Sequence, residues 1–418
     1  MKNLVIIGGG AAGLMAACSA ASAESNIKVT VIEKNSRPAR KLMITGKGRC
    51  NVTNNCDVPS LISNTPKNGK FLYSAFSQFS SKDTISFFEN CSVSLKTERG
   101  NRVFPVSDKA SYIVDALVNK VKKLGCEIVE GKVSEILLSD SLINSVKLED
   151  GRTVPADSVI IATGGMSYPL TGSTGDGYKI AKALGHSVTD IIPSLVPLEC
   201  HEGFCSKLSG LSLKNVTLSV FEKDKKKPVF KELGEMLFTH FGISGPLVLS
   251  ASAHIRHIDK KEYYAVIDLK PALDSETLDK RILRDFSESL NKDFSNSLDK
   301  LLPKSLIPVI ISLSGIPQGI KVNQISREQR ALLVKVIKNL KLNITAFRPI
   351  EEAIITSGGI PVKEIDPSSM SSKLIAGLYF AGEVIDVDAY TGGFNLQIAF
   401  STGNLAGKSA AQYLKTIQ

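Results

Sequence analysis

Three glycines in "LVIIGGGAAGLMAACSAA" stand at a spacing that can hold a pyrophosphate. Gly8 permits a tight turn directly after an apolar strand, and Gly10 lets backbone approach the phosphates. Gly13 permits close packing of helix on strand. Ala11 and Ala12 open the helix, whose first N–H groups are unpaired and carry partial positive charge. Glu33 lies twenty residues past Gly13, at the end of the second strand, where a carboxylate can accept both ribose hydroxyls; Lys34 follows it. Read alone, Glu33 could be a surface acid. The spacing favours a dinucleotide, and both NAD and FAD use this pattern.

Further residues bear on that choice. "RKLMITGKGRCNVTNN" packs Arg40, Lys41, Gly46, Arg49, Cys50 and Asn51 into one stretch that can wrap phosphate and ring edges. A plain polar surface loop is its alternative. Cys50 invites reading as a catalytic thiol, but no cysteine stands at CxxC spacing from it, so it reads as part of a cofactor wall. "IIATGG" ends a strand whose backbone, Ala162 to Gly165 (with Thr163 and Gly164 between), can pass the adenosine side. Near the C-terminus, "LYFAGEVIDVDAYTGGFNLQIAFSTGN" repeats the strand–glycine–helix device. The alternative there is an ordinary strand–helix hairpin. Its polar residues Tyr390, Thr391, Asn395 and Gln397 are the candidate catalytic groups, with His240 and Tyr168 able to reach in from elsewhere. Spacing assigns no proton donor.

These residues need elements to hold them. Residues 3–7, 11–23 and 28–33 read as a βαβ unit, which implies a parallel sheet. Apolar residues recur at helical spacing between 107 and 124. "CEIVEG", "VSEILLS" and "INSVKLEDGRTV" alternate as short strands with an Asp-Gly turn, and "DSVIIATGG" returns to the parallel sheet. Beyond about residue 190 the pattern becomes antiparallel and barrel-like, and residues 274–302 and 326–340 are lysine-rich and helical in period. The expected fold class is α/β: a discontinuous Rossmann-like dinucleotide domain, 1–190 and 345–418, interrupted by an antiparallel β-barrel-like segment, 191–273, and a helical one, 274–344.

The 418 residues are more than one compact core accommodates. No apolar run reaches the roughly eighteen residues needed to span a bilayer. Glycines interrupt the N-terminal apolar run, which argues against a secretory signal, so the expected location is cytoplasmic. Seven cysteines without a CxxC pair exclude a disulfide framework, a zinc ribbon and a dithiol centre. His254 and His257 lack acidic or cysteine partners at metal-ligand spacing, so no metal is expected. A formal charge of +10 suits either nucleic acid or a site for anionic phosphates.

The chain resembles the BaiN-like, aminoacetone-oxidase-like FAD-dependent flavoproteins. The resemblance rests on "GKGRCNVTN" (Gly46–Asn54), "ATGGMSYPLTGSTGDGYKIAKALGH", "PSLVPL", "FTHFGISGPLVLSAS", "RPIEEAIITSGGI" and "FAGEVIDVDAYTGGFNLQIAFSTG", blocks that span nearly the whole chain. It implies a glutathione-reductase-type flavin fold with FAD as cofactor. Gly382 and Glu383, with Asp386 near, would hold the ribityl–phosphate region. Gly392 and Gly393 would start a helix pointing at the isoalloxazine, with Phe394, Asn395, Leu396 and Gln397 along the ring. Val133, opening "VSEILLS", joins the expected cofactor contacts.

The activity implied is hydride transfer between flavin N5 and a small organic substrate, by an NAD(P)H-dependent reductase of unsaturated compounds. The alternative is an oxygen-dependent amine oxidase. No second strand–GxGxxG–helix unit is evident, so NADH or NADPH would visit the flavin face transiently. An RNA-modifying flavoprotein and a flavin-bound redox sensor are the weaker expectations, since no RNA-binding module is evident. The expected partner is a small molecule, with no membrane and no nucleic acid.

Overall fold

The computed structural model describes every residue except Ser289 and Gln418. The chain divides into two compact units, residues 1–194 with 350–418, and residues 195–349.

The first unit is built on a five-stranded parallel sheet. Its strands are β1 (Lys2–Ile7), β2 (Ile27–Glu33), β5 (Glu127–Glu130), β6 (Ser158–Ile161) and β7 (Leu378–Phe380), in the order β7–β6–β1–β2–β5. β3 (Leu95–Glu98) and β4 (Arg102–Pro105) form a hairpin beside it. Ile7 stands opposite Ile32 on one side and Ile161 on the other. Leu4, Ile6, Val31, Ile160 and Phe380 are fully buried, which is why the central strands read as unbroken apolar runs. The chain leaves β1 toward β2 on one side and meets β6 on the other. A sheet of this kind opens a crevice beyond the carboxyl ends of its strands at that reversal.

Two helices converge on the crevice: α1 (Ala11–Ala23) and α2 (Phe394–Thr416). Their small residues let the backbones touch. A β-carbon on Gly403 would stand 2.4 Å from the Ala12 carbonyl oxygen, and one on Gly407 2.3 Å from that of Ala16. Both pairs advance by four residues in the same sense, so the helices run parallel. Buried Asn404 donates from Nδ2 to Ser19 Oγ across the seam at 2.8 Å.

The second unit holds a closed six-stranded barrel of Leu198–Cys200, Gly242–Ser244, Phe230–Thr239, Ser212–Glu222, Tyr263–Asp268 and Leu340–Phe347. Closure leaves no exposed sheet edge. Helices Ser275–Ser287, Ile307–Ser314 and Arg327–Lys338 are inserted between the last two of these strands in chain order. The division into a barrel at 191–273 and helices at 274–344 therefore needs correction. Residues 340–347 close the barrel, and Leu218, Ile267, Leu278, Ile310 and Leu333 belong to one shared core. Helical periodicity marked the insertion, but a single barrel strand following it carries too few residues to announce its partner. Among the described residues no helix is long and apolar enough to cross a membrane.

Candidate functional site

The glycine turn explains its own sequence. Gly8 has φ +104°, and a β-carbon there would stand 2.6 Å from the Ala162 carbonyl oxygen. One on Gly13 would stand 1.9 Å from the Gly8 carbonyl oxygen. Gly10 is different: its β-carbon would meet nothing within 4 Å, because that face opens on a cavity. Gly10 also caps α1 without any side-chain hydrogen bond, so the first N–H groups of the helix face the cavity unpaired. Glu33 is buried beside the turn. Its Oε2 accepts from Gly9 N at 2.7 Å, and its Oε1 accepts from Asn35 N and Nδ2 at 2.9 and 2.7 Å.

The cavity holds about 980 Å³. Of the residues expected from sequence, Gly8, Gly10, Ala11, Ala12, Glu33, Arg40, Lys41, Gly46, Arg49, Asn51, Ala162, Thr163 and Gly164 line it. So do Gly382, Glu383, Tyr390, Thr391, Gly392, Gly393, Phe394, Asn395 and Leu396. Residues separated by nearly four hundred positions thus share one wall.

Seven expected contacts lie elsewhere. Gly13 and Gly165 serve packing; a β-carbon on Gly165 would stand 2.5 Å from Thr356 Oγ1. Lys34 and Val133 line a small recess of about 40 Å³ next to Gly8 and Glu33. There Lys34 Nζ pairs with Asp176 at 2.6 Å. Asp386 is buried and pairs with Lys67 at 2.6 Å. Cys50 is fully buried, and burial pushes its thiol up to about 12. Gln397 is fully buried as well: its Oε1 accepts from Thr53 Oγ1 (2.6 Å) and Thr84 Oγ1 (2.9 Å), and its Nε2 donates to Phe79 O (3.0 Å) and Ser401 Oγ (2.8 Å).

The candidate proton donors sort accordingly. Gln397 has every amide position used, so it is a structural tie and not a catalytic group. Asn395 lines the cavity, but its Oδ1 accepts from Ala389 N (2.9 Å) and its Nδ2 donates to Ala389 O (2.8 Å). Its amide shapes the loop before α2. His240 belongs to the barrel unit. Tyr168 sits with φ +54° outside the cavity lining, its ring centroid 6.0 Å from Lys41 Nζ. Tyr390 and Thr391 remain.

At the far end, Gly393 (φ +99°) caps α2 without a side-chain bond, leaving a second unpaired helix start. A β-carbon there would stand 2.3 Å from the Thr53 carbonyl carbon, so only glycine fits. Asn54 Nδ2 donates to both Gly392 O and Gly100 O at 3.0 Å, tying the β3–β4 turn to this helix start. Because Ala12 is level with Gly403, the start of α2 lies about 12 Å along the axis from the start of α1, at 1.5 Å per residue.

Charges on the wall are partly neutralised. Lys41 Nζ pairs with Glu383 Oε2 at 2.7 Å, and Glu383 Oε1 accepts from Thr356 N (2.9 Å) and Ser167 Oγ (3.0 Å). Arg49 donates to Glu98 and, from Nε, to Asp108 at 2.8 Å, with its guanidinium 4.1 Å from the Phe104 ring centroid. Its hydrogen bond holds the Glu98 carboxyl below the usual carboxylate range, and Lys96, then Arg49, do the same for Asp108.

The two uncapped helix starts and the open face of Gly10 fit FAD. α1 and Arg40 would meet the pyrophosphate, Glu33 the ribose, and Asn51 and the start of α2 the ring.

Sequence reasoning missed Asn64, Asn101, Arg102, Phe104, Ser173, Ile354 and Ile355 on the wall. The Gly100–Asn101 pair, both with positive φ, carried a turn signal that could have placed Arg102. Ile354 and Ile355 carried none.

The HI0933-like protein Rossmann domain family matches residues 2–409. A 3-dehydro-bile acid delta(4,6)-reductase from Clostridium scindens is 31% identical over 420 residues, covering 99% of this chain and all of that one. A ribosomal RNA dihydrouridine synthase from Escherichia coli is 30% identical over 408 residues, covering 96% of each. Among solved structures, a flavocytochrome c3 fumarate reductase superposes with TM-score 0.52 at 18% identity, over 99% of this chain and 79% of the other. A 3-ketosteroid delta1-dehydrogenase from Sterolibacterium denitrificans gives 0.52 at 11% identity, over 99% and 100%. These two bear on the fold alone. The chain therefore belongs to the HI0933-like family of Rossmann-domain flavoproteins, and is an FAD-dependent oxidoreductase.

Proposed function

We propose that the chain reduces a carbon–carbon double bond conjugated to a carbonyl, with NADH or NADPH charging its FAD in a transient visit. The observation that carries this reading is the uncapped start of α2 at the end of the cavity opposite the pyrophosphate cradle. A helix N-terminus stabilises negative charge, and reduced flavin carries it on the pyrimidine edge of the ring. FAD supplies hydride at N5; the protein supplies position and electrostatics.

Asn51 lines the cavity beside the ring's expected place, and Gly393 lets α2 approach it. Asn54 and Gln397 hold that approach in place from either side. Tyr390 and Thr391, both on the cavity wall, are the candidate proton donors.

The relatives' names support the reductive direction. A delta(4,6)-reductase of a 3-dehydro-bile acid and a dihydrouridine synthase both saturate a ring double bond beside a carbonyl. They favour it over amine oxidation. Those names leave two acceptor classes, a small organic enone and a uridine of RNA. The second reading draws on the +10 charge and on two relatives named as RNA enzymes, the other from Haemophilus influenzae at 31% identity.

The test is anaerobic. Protein reduced with NADPH or NADH is mixed with a conjugated steroid enone or with a uridine-containing RNA, and the return of oxidised flavin is followed. Reoxidation with formation of the saturated product supports the proposal. A flavin bleached by an amine and reoxidised by air alone would replace it with the oxidase.

A further inference from the structure

Five cations line the cavity, Arg40, Lys41, Lys47, Arg49 and Arg102, against two carboxylates, Glu33 and Glu383. Lys41 is taken by Glu383, and Arg49 by Glu98 and Asp108. Among the described residues no carboxylate pairs with Arg40, Lys47 or Arg102. Arg40 adjoins the glycine turn: its neighbour Ala39 donates to Gly9 O at 2.8 Å, and its own guanidinium donates to Asn35 at 3.2 Å. It is placed for the cofactor pyrophosphate. Lys47 and Arg102 are left over.

Both belong to the other end. Arg102 follows the β3–β4 turn, which Asn54 ties to Gly392 and which Asn55 N holds through Asn101 O at 2.7 Å. Its guanidinium lies 6.0 Å from the Phe104 ring centroid. On the same ring stands the Gly46 loop, where a β-carbon on Gly46 would be 3.3 Å from Phe104 Cε1. Lys47 follows with φ +59°, between glycines at +56° and +83°. L side chains rarely adopt that backbone, so a lysine there, exposed and unpaired, is held for something other than local stability. The pyrophosphate of FAD would lie against α1 and Arg40, whereas Lys47 and Arg102 flank the Phe104 ring with the Gly46 loop.

We infer that Lys47 and Arg102 recognise a negative charge on the acceptor. This rests on the reductase reading above and sharpens it: the acceptor is an anion. Phosphate of a nucleotide and carboxylate of an apolar acid share that chemistry.

The experiment measures ligand affinity of FAD-loaded protein from the perturbed spectrum of its bound flavin. Two matched pairs are used: uridine 5′-monophosphate with uridine, and an unsaturated 3-oxo bile acid with its methyl ester. Wild type is compared with Lys47→Ala, Arg102→Ala and the double variant, with bound FAD per chain recorded for each. The charged member of one pair should bind more tightly by on the order of tenfold, a gap that shrinks with added salt and collapses in the double variant. The pair that shows it names the source of the charge. Equal affinities for charged and neutral members in wild type overturn the inference, as does a gap that survives both substitutions. The two positions lie on separate loops, so a variant that loses FAD leaves the other single variant and the salt series to decide. Failure of the reductase reading shows separately, as a reduced flavin that no conjugated acceptor reoxidises.

Discussion

The carbonyl of Ala12 occupies the place where Gly403 would carry a side chain, at 2.4 Å from the missing β-carbon. That contact sets two parallel helices at backbone distance and staggers their starts along one cavity. Gly403→Ala should push α2 away from α1. Overpacking of this kind costs about 1–3 kcal/mol. Denaturant unfolding should show that loss, and FAD affinity should fall with it. Unchanged stability and affinity would mean the seam does not set the site.

Gln397 is expected to act through Thr53. Gln397→Leu removes four hydrogen bonds and strands the Thr53 and Thr84 hydroxyls, while the Phe79 carbonyl keeps its bond from Ser401 Oγ. A loss of about 2–4 kcal/mol in stability should follow. The bound flavin should also shift in spectrum and potential, because Thr53 backbone touches Gly393. A stability loss with no spectral shift would confine Gln397 to the core.

Cys50 should be inert in the native protein. Its thiol is fully buried and raised to about 12 by desolvation, so little thiolate forms near neutral pH. Mass spectrometry after brief native alkylation should find Cys50 unmodified and find it labelled after unfolding. Rapid native labelling would contradict the placement and reopen a catalytic thiol.

Acid should loosen the loop that carries Arg49. Glu98 titrates below its unfolded value because Arg49 bonds its charged form. Its contribution is therefore complete above roughly pH 4.3, the unfolded value, and is lost as pH falls through the lower folded value. Both groups are partly exposed, so the effect is local. Arg49→Gln should remove that acid dependence of FAD retention; an identical acid profile would show that Arg49 plays no part in it.

Much of this site was legible in the sequence because its backbone requirements are severe. Gly8, Gly10, Gly392 and Gly393 each stand where a side chain would clash or would fill the cavity, and the strands between them are unbroken apolar runs. Side-chain roles were less legible. Gln397 and Asn395 look catalytic in a row of residues, but α2 turns Gln397 into the core, while the loop before α2 consumes the amide of Asn395. Cys50 sits two residues from Gly48 yet points inward, at φ +60°. The barrel strand at Leu340–Phe347 was hidden because closure pairs it with residues more than seventy positions away. Arg102 and Phe104 belong to a hairpin whose contact with Gly392 depends on one amide, Asn54, and no periodicity encodes such a tie.

The central claim is that two staggered helix starts hold one FAD. The most direct measurement is the visible spectrum and bound FAD per chain of purified wild type beside Gly10→Val. Wild type should carry FAD at one per chain, and Gly10→Val, whose side chain would occupy the phosphate approach, should be folded and largely colourless. A wild type that cannot be loaded with FAD, or a Gly10→Val protein that loads as fully as wild type, would contradict the account.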